Sequence, residues 1–463
     1  MSVISALFDN KVYNFEQAFG VKDITSAAMR QAIREWYALY YDTEPTEQED
    51  PGQRLPVAVV SKLTRTAFSE YTAQVSGQSG KSVFLTGVLD GLDRARKKAM
   101  QQALIGGEAM LKPLPSKKGA QFTVVSRNNY LVLGRNELDE ITDIGTAEVT
   151  DVGRVRYTLL ERRTVDAAGY LTIESRLFRS DNTGYLGYEV PLASLDKYAA
   201  LERLNRLPQP VWSVGLISLK VPIENTVDGS PDGVSVYAAA ARLIRLININ
   251  EAQINGEFSR GESRIIVSSD LMNRDQNGRK QFKDHIFSGL DDDSENVGVT
   301  IFSPAFREQS FFARKMEYLR SIESLIGLKR GILSEVEAAE RTATEVTSSA
   351  GDYNLTIIDL QQMWERAVRE AVRICDIIGQ MYKLCDSTPV DPMKDVSVSW
   401  GNGILYDEKS DNAERLAQVQ AGFLKPELYL AWYYDQPCET EKDIEKIRTK
   451  YMPMLEEMVG GDE

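Results

Sequence analysis

The chain has 463 residues, 43% of them hydrophobic, and a formal net charge of −14. That length allows about three domains or one body with insertions, and the apolar fraction suffices for a substantial core. The acidic balance argues against a compact, sequence-reading nucleic-acid binder, which needs a basic patch to neutralise phosphates, but it is compatible with a surface that DNA passes without sticking.

The N-terminal MSVISALFDNKV has no basic n-region and its apolar run stops at Asp9, so no signal peptide is expected. Met29, Ile33, Trp36 and Tyr40 recur at helical steps and predict a helix over 25–42. An acidic loop follows, with Glu44, Glu47, Glu49 and Asp50. Further helices are predicted over 55–76 and 88–104, the latter ended by Gly106 and Gly107. From 108 to 224, β-rich runs such as QFTVVS, YLVLG, VRYTLLERRTV and YLTIESRLFR alternate with turn signals. Asp166–Gly169 and Asp181–Gly184 read as hairpin connections, so this region is expected to be predominantly antiparallel. Residues 208–233, punctuated by Pro and Gly, read as a connector.

A helix is predicted from 234 to 259, then a strand-like SRIIVSS and a polar insertion over 270–300. Phe312, Met316, Leu319, Ile322 and Ile326 define one face of a helix over 306–326. The two helices flank a short insertion and are expected to pair antiparallel. A loop over 327–342 carries Lys329, Arg330, Glu335, Glu337 and Glu340. Thr342 and Glu345 then form a T-x-x-E capping box for one long helix over 343–385. Its seam, Leu360, Trp364, Ala367, Ala371, Ile374, Ile378, Met381 and Cys385, alternates steps of four and three, which predicts a narrow buried stripe. Such a rod spans roughly 65 Å at about 1.5 Å per residue. A short strand, VSVSW, and C-terminal helices over about 410–421, from Pro426 and over about 440–458 complete the chain; Thr440 and Asp443 read as a capping pair.

Few residues invite catalytic readings. Gly80-Lys81-Ser82 suggests a phosphate loop, but the motif needs a Gly where Val75 stands, and a polar turn between helix and strand is the plainer reading. His285 is the single histidine, so a His-rich metal site is excluded and Ser-His-Asp chemistry depends on that one residue; in a polar insertion it reads as a surface or interface group. Asp291, Asp292, Asp293 and Glu295 lack the spacing of a calcium loop and read as a solvated acidic loop. Arg94, Arg96, Lys97 and Lys98, with Arg162 and Arg163, read as solvated basic faces that alternatively meet nucleic acid or an acidic neighbour. Cys375, Cys385 and Cys438 are too few for a disulfide framework, and on one helix the first two stand about 15 Å apart, beyond bridging. No apolar run approaches the ~20 residues of a membrane helix, and a soluble protein of a reducing cytoplasm is expected. No cofactor and no metal is expected.

The order of these parts resembles the portal proteins of long-tailed phages of Gram-positive hosts, over nearly the whole chain. MRQAIREWYALYY resembles the family's opening helix, FSEYTAQV a later helix, and GEAMLKP the element before its first β-hairpin. The run Leu186–Leu192 is similar to its "lG..v.L" strand. Lys220-Val221-Pro222, Asn225 and Gly233–Tyr237 are similar to its "kvP..N…G.Svy" connector, and Arg341–Val346 (RTATEV) to "kTATEV". The basic residue before Thr342 is here Arg341, and 268–302 matches no family pattern.

The resemblance implies an α+β fold: a mainly helical, elongated subunit with a β-rich wing, assembling into a ring, typically of twelve copies, at one capsid vertex. It implies a wing over 1–233, stem helices over 234–260 and 306–326, and a clip over 261–305. A tunnel loop over 327–342, a wing-crossing helix over 343–385 and a crown over 386–463 complete the assignment. Double-stranded DNA then passes the channel during packaging and ejection without sequence specificity. The clip faces the terminase large subunit and later the head–tail adaptor, with Arg274, Arg279, Lys280, Lys283 and His285 as candidate contacts. The tunnel loop faces DNA through Lys329, Arg330, Glu335 and Glu337; for Lys329 and Arg330 an inter-subunit ion pair is the alternative role. Major capsid protein and scaffold protein are further implied partners, the virion is the location after assembly in the host cytoplasm, and no catalysis is needed because ATP hydrolysis belongs to the terminase. The rivals are another virion connector or minor capsid protein, and a hydrolase with a carboxylate pair in a cleft of 108–224.

Overall fold

The computed structural model describes residues 15–44, 50–77, 79–182, 185–260, 264–267, 273–274, 280–281, 299–302, 307–335, 343–388, 390–400, 408–434, 438 and 441–452. Helix accounts for 47% and strand for 23%, so the chain is mixed helix and sheet, as expected. It divides into two compact units: Met1–Ala67 with Ala73–Ser397, and Phe68–Thr72 with Val398–Glu463.

In the first unit, α1 (Phe15–Phe19) precedes α2 (Ala27–Tyr41), whose N-terminus is capped where the Met29 N–H donates to Ser26 Oγ at 3.0 Å. Helix α2 buries Met29, Ile33, Trp36, Tyr37 and Leu39. Helix α3 (Leu55–Ala67) stops well short of 76, and Thr72–Val75 form strand β1 instead. The break falls where Phe68 and Tyr71 turn to pack on Trp400, with ring centroids 6.2 and 4.9 Å away.

Helix α4 (Gly80–Gly106) begins eight residues before the predicted 88. Two glycines of this helix have a packing reason. A Cβ at Gly87 or Gly91 would lie 1.9 Å from the carbonyl oxygen of Lys118 or Ala120 respectively, because a β-hairpin rests directly on the helix. That hairpin is β2 (Glu108–Ser116) and β3 (Gly119–Ser126). Strand β10 (Ile217–Lys220) joins the free edge of β2, giving a three-stranded antiparallel sheet in the order β10-β2-β3.

The second sheet is an antiparallel meander of β4 (Tyr130–Arg135), β5 (Ile141–Val152), β6 (Val155–Val165), β7 (Tyr170–Ser180) and β8 (Tyr188–Val190). Strand β9 (Leu204–Pro210) pairs with β7 beside β8. The Asp166–Gly169 hairpin forms as expected: Asp166 Oδ1 accepts the N–H groups of Ala168 and Tyr170, and Gly169 has φ +81°. Of the other predicted turn, Thr183 and Gly184 lie outside the described residues. The connector over 208–233 holds more order than predicted, since it contains the end of β9 and all of β10. Met110, Val125, Tyr130, Val132, Ile144, Val214 and Leu216 form one core shared by the two sheets.

Helix α5 (Ala241–Arg260) starts seven residues after 234, because 234–240 fold as successive turns docked on the C-terminus of α4. There the Val236 N–H and Ser235 Oγ both donate to the Leu104 carbonyl at 3.0 Å, answering an acceptor that a helix end leaves open. After α5, β11 (Arg264–Val267) pairs antiparallel with β14 (Val299–Phe302), and between them β12 (Asn273–Arg274) pairs with β13 (Lys280–Gln281). Helix α6 (Glu308–Ile326) returns antiparallel to α5, tied by Lys315–Glu251 at 2.8 Å and Arg307–Glu257 at 3.0 Å.

Helix α7 (Ala343–Met381) runs 39 residues, about 58 Å at about 1.5 Å per residue. It ends four residues before the predicted 385. Lys383 takes a left-handed φ of +54°, its N–H donates to the Gln380 carbonyl, and the Leu384 N–H donates to the Gly379 carbonyl at 2.8 Å. Cys385 therefore leaves the helical seam. The seam itself is not a narrow stripe: Met363, Val368, Val372 and Cys375 are buried together with Leu360, Trp364, Ala367, Ala371 and Ile374. This broad face packs on α3, α4, β2 and β10 of the same chain, so it is core of the chain itself. Thr342 lies outside the described residues.

The second unit contains α8 (Glu408–Gln420), α9 (Pro426–Tyr433, with Pro426 in its first turn as predicted) and α10 (Glu441–Tyr451). Arg448 reaches Glu427 at 2.6 Å, and the rings of Tyr434 and Tyr451 stack at 4.2 Å. Strand β15 (Val396–Ser399) spans the boundary between the units. Thr440 and residues 453–463 lie outside the described residues.

Candidate functional site

The loop that follows α6 is built from the helix end outward. Gly327 takes the left-handed conformation (φ +73°), and the Leu328 N–H donates back to the Glu323 carbonyl at 2.8 Å. The Gly327 carbonyl accepts from Thr356 Oγ1 of α7 at 3.2 Å, so the start of the loop is fastened to the long helix. Leu328 is buried, whereas Lys329 and Arg330 are exposed. The Ile332 N–H closes a turn on the Lys329 carbonyl at 3.3 Å, with Gly331 at φ +88°.

The far side of the loop is held by a side chain that sequence reading missed. Glu323 is completely buried. Its Oε1 accepts the N–H groups of Leu333 at 2.6 Å and Ser334 at 3.0 Å, and its Oε2 accepts from Ser334 Oγ at 2.7 Å. The available signal was a carboxylate between Ile322 and Ile326, on a face that apolar spacing marks as inward. Glu335 follows, exposed; Glu337 lies outside the described residues. Of the expected clip contacts, Arg274 and Lys280 are backbone register partners across β12 and β13, while Arg279, Lys283 and His285 lie outside the described residues. The acidic run Asp291–Asp293 and Glu295 lie outside them too.

The phosphate-loop candidate resolves differently from either reading of the sequence. Gly80-Lys81-Ser82 is the first turn of α4, not a turn between helix and strand. Its anion position is filled from within: the Lys81 N–H donates to Asp386 Oδ2 at 3.1 Å, and the Ser82 N–H to Ser79 Oγ at 3.1 Å. The Lys81 ammonium is fully buried, 2.8 Å from Asp376 Oδ1.

Of the basic clusters, Arg94, Lys97 and Lys98 lie on the exposed face of α4 as expected. Arg162 and Arg163 make no basic patch, because Arg162 reaches Asp143 at 2.6 Å and Arg163 reaches Glu161 at 2.7 Å. Cys375 is buried, and desolvation with the neighbouring Asp376 pushes its thiol up to about 12, far from a nucleophilic thiolate. A cavity of about 740 Å³ has Glu108, Arg135, Asp166, Trp212 and Arg366 in its lining. Two of its acids are engaged: Glu108 accepts from Tyr130 Oη at 2.9 Å and Ser218 Oγ at 2.7 Å, and Asp166 holds its hairpin and pairs with Arg206. Among the described residues no cluster of His, Cys, Asp and Glu is placed to hold a metal ion. No helix among them is long and apolar enough to cross a membrane.

Segments far apart in the sequence, around Trp36, Gly107, Val221 and Gly233–Tyr237, meet in space. Gly107 and Gly233 cross back to back, so that a Cβ on Gly107 would lie 2.3 Å from the Gly233 carbonyl carbon. The Val221 N–H donates to the Gly107 carbonyl at 2.9 Å, and Tyr237 Oη donates to the Trp36 carbonyl at 2.8 Å. Asn225 folds its loop by accepting from the Val227 N–H and donating to Ser230 Oγ at 3.0 Å, and Ser26, the cap of α2, bonds Asp228 in that loop. No protein-family model matches the chain, and no curated protein matches it.

Proposed function

We propose that this chain is a portal-type subunit: a ring, typically of twelve copies, at one capsid vertex, through which double-stranded DNA is packaged and ejected. The observation that carries the reading is the succession α5, β-paired insertion, α6, a loop bearing Lys329 and Arg330, and 39-residue α7, with α5 and α6 tied antiparallel. Ile249, Phe258, Phe312 and Leu325 are 43–51% exposed on that helix pair in the single chain, which suits burial against neighbouring copies. A net charge of −14 per copy gives a conduit that repels phosphates and lets the duplex slide. In this reading Lys329 and Arg330 touch the duplex transiently, the paired strands between α5 and α6 are the clip that meets terminase and adaptor, and major capsid and scaffold proteins surround the ring. The subunit performs no catalysis; the motor that hydrolyses ATP is separate.

Charge reversal tests the loop's role. The double variant Lys329→Glu/Arg330→Glu is expected to assemble into rings while losing DNA packaging or retention. Failure to form rings would instead assign the pair to subunit contacts, and unchanged packaging would contradict a DNA-facing role.

A further inference from the structure

We infer that Glu323 is a positioning residue for Lys329 and Arg330, acting as a buried latch that fixes the loop presenting them; this rests on the reading of that loop as DNA-facing. A fully buried carboxylate is costly unless its oxygens are satisfied. Among the described residues Glu323 forms no salt bridge, and its three hydrogen-bond donors all come from Leu333 and Ser334. Carboxylate burial and loop conformation are therefore coupled: when the loop leaves, Glu323 loses those donors together. The opposite end is tied by Thr356 at the Gly327 carbonyl. What remains between the two fastenings is 328–332, a span closed by its own turn. Leu328 is buried, so Lys329 and Arg330 stand at the apex of a short, doubly anchored arch. Fixing two cations in this way removes the ordering entropy that a loose loop spends at every phosphate encounter.

The coupling is read by limited trypsin digestion of the full chain, since trypsin cleaves after Lys329 and Arg330, with peptides quantified by mass spectrometry. Hydrogen bonds to a charged group are among the stronger ones, and Glu323→Ala removes all three at once. Glu323→Ala should therefore raise cleavage at these two bonds about tenfold or more relative to sites on α4 such as Lys97 and Lys98. Glu323→Gln keeps an acceptor oxygen for the two backbone N–H groups and should restore most of the protection, which mere loss of a buried side chain does not explain. Ser334→Ala removes one bond from the loop's side without touching the helix and should raise cleavage severalfold. Equal cleavage of Ser334→Ala and the parent chain at these bonds would overturn the latch, even if Glu323→Ala does not fold. So would equal cleavage of Glu323→Ala and Glu323→Gln. Cleavage reports position and DNA retention reports charge. A loop freed by Glu323→Ala, together with DNA retention indifferent to Lys329→Glu/Arg330→Glu, would uphold the latch and refute the DNA-facing role.

Discussion

At the scale of single residues, the buried charges act as fasteners. Burial would raise the Glu161 carboxyl, but Arg163 at 2.7 Å and Lys112 at 2.9 Å outweigh it and hold the group at about 2, against an ordinary value of 4.5. The sign follows from proton counting. Between these values the unfolded chain binds the proton and the folded chain does not, so this stabilisation is fully present above about pH 4.5 and is lost as pH falls towards about 2. Its size is on the order of 3 kcal/mol. Glu161→Gln should flatten the fall in urea-unfolding stability between about pH 5 and about pH 3; parallel profiles for parent and variant would contradict the assignment. Lys329 and Arg330 were legible because charge in a loop is expected to be exposed. Glu323 was not, because a carboxylate on an apolar helical face breaks the pattern, and its partners lie ten and eleven residues on, beyond helical spacing.

At the scale of elements, periodicity located helices well where their partners are side chains and poorly where their partners are backbone. Met29, Ile33 and Trp36 announced α2. The start of α4 was hidden because Gly80 and Gly87 weaken helix propensity, while the tertiary contact of a hairpin on Gly87 favours the helix. The run Ala238–Ala240 favours helix, yet 234–240 turn to answer the open carbonyl of Leu104. The end of α7 was misplaced because a left-handed lysine, not a glycine, terminates it. The crossing of Gly107 and Gly233 is the least forgiving of these contacts. Gly107→Ala adds a Cβ 2.3 Å from the Gly233 backbone at φ +82°, and should cost about 3 kcal/mol or more. Gly229→Ala, which meets nothing within 4 Å at φ +69°, should cost about 1 kcal/mol. Thermal unfolding separates the two; equal effects would mean that the crossing contributes no more than local backbone strain.

At the scale of the whole molecule, the buried face of α7 belongs to the chain's own core. The rod is thereby a scaffold within one chain, and in the proposed ring contacts between copies would fall to other surfaces. In that proposal the helix pair α5 and α6 supplies one, with Ile249, Phe312 and Leu325 exposed on it in the single chain. A ring built on that pair sets the loop with Lys329 and Arg330 at the end of each α6, held by Glu323 and Thr356. Negative-stain imaging of the purified full chain tests this most directly. The account predicts rings with a central hole wide enough for duplex DNA; a uniform population of monomers across salt and protein concentration would contradict it.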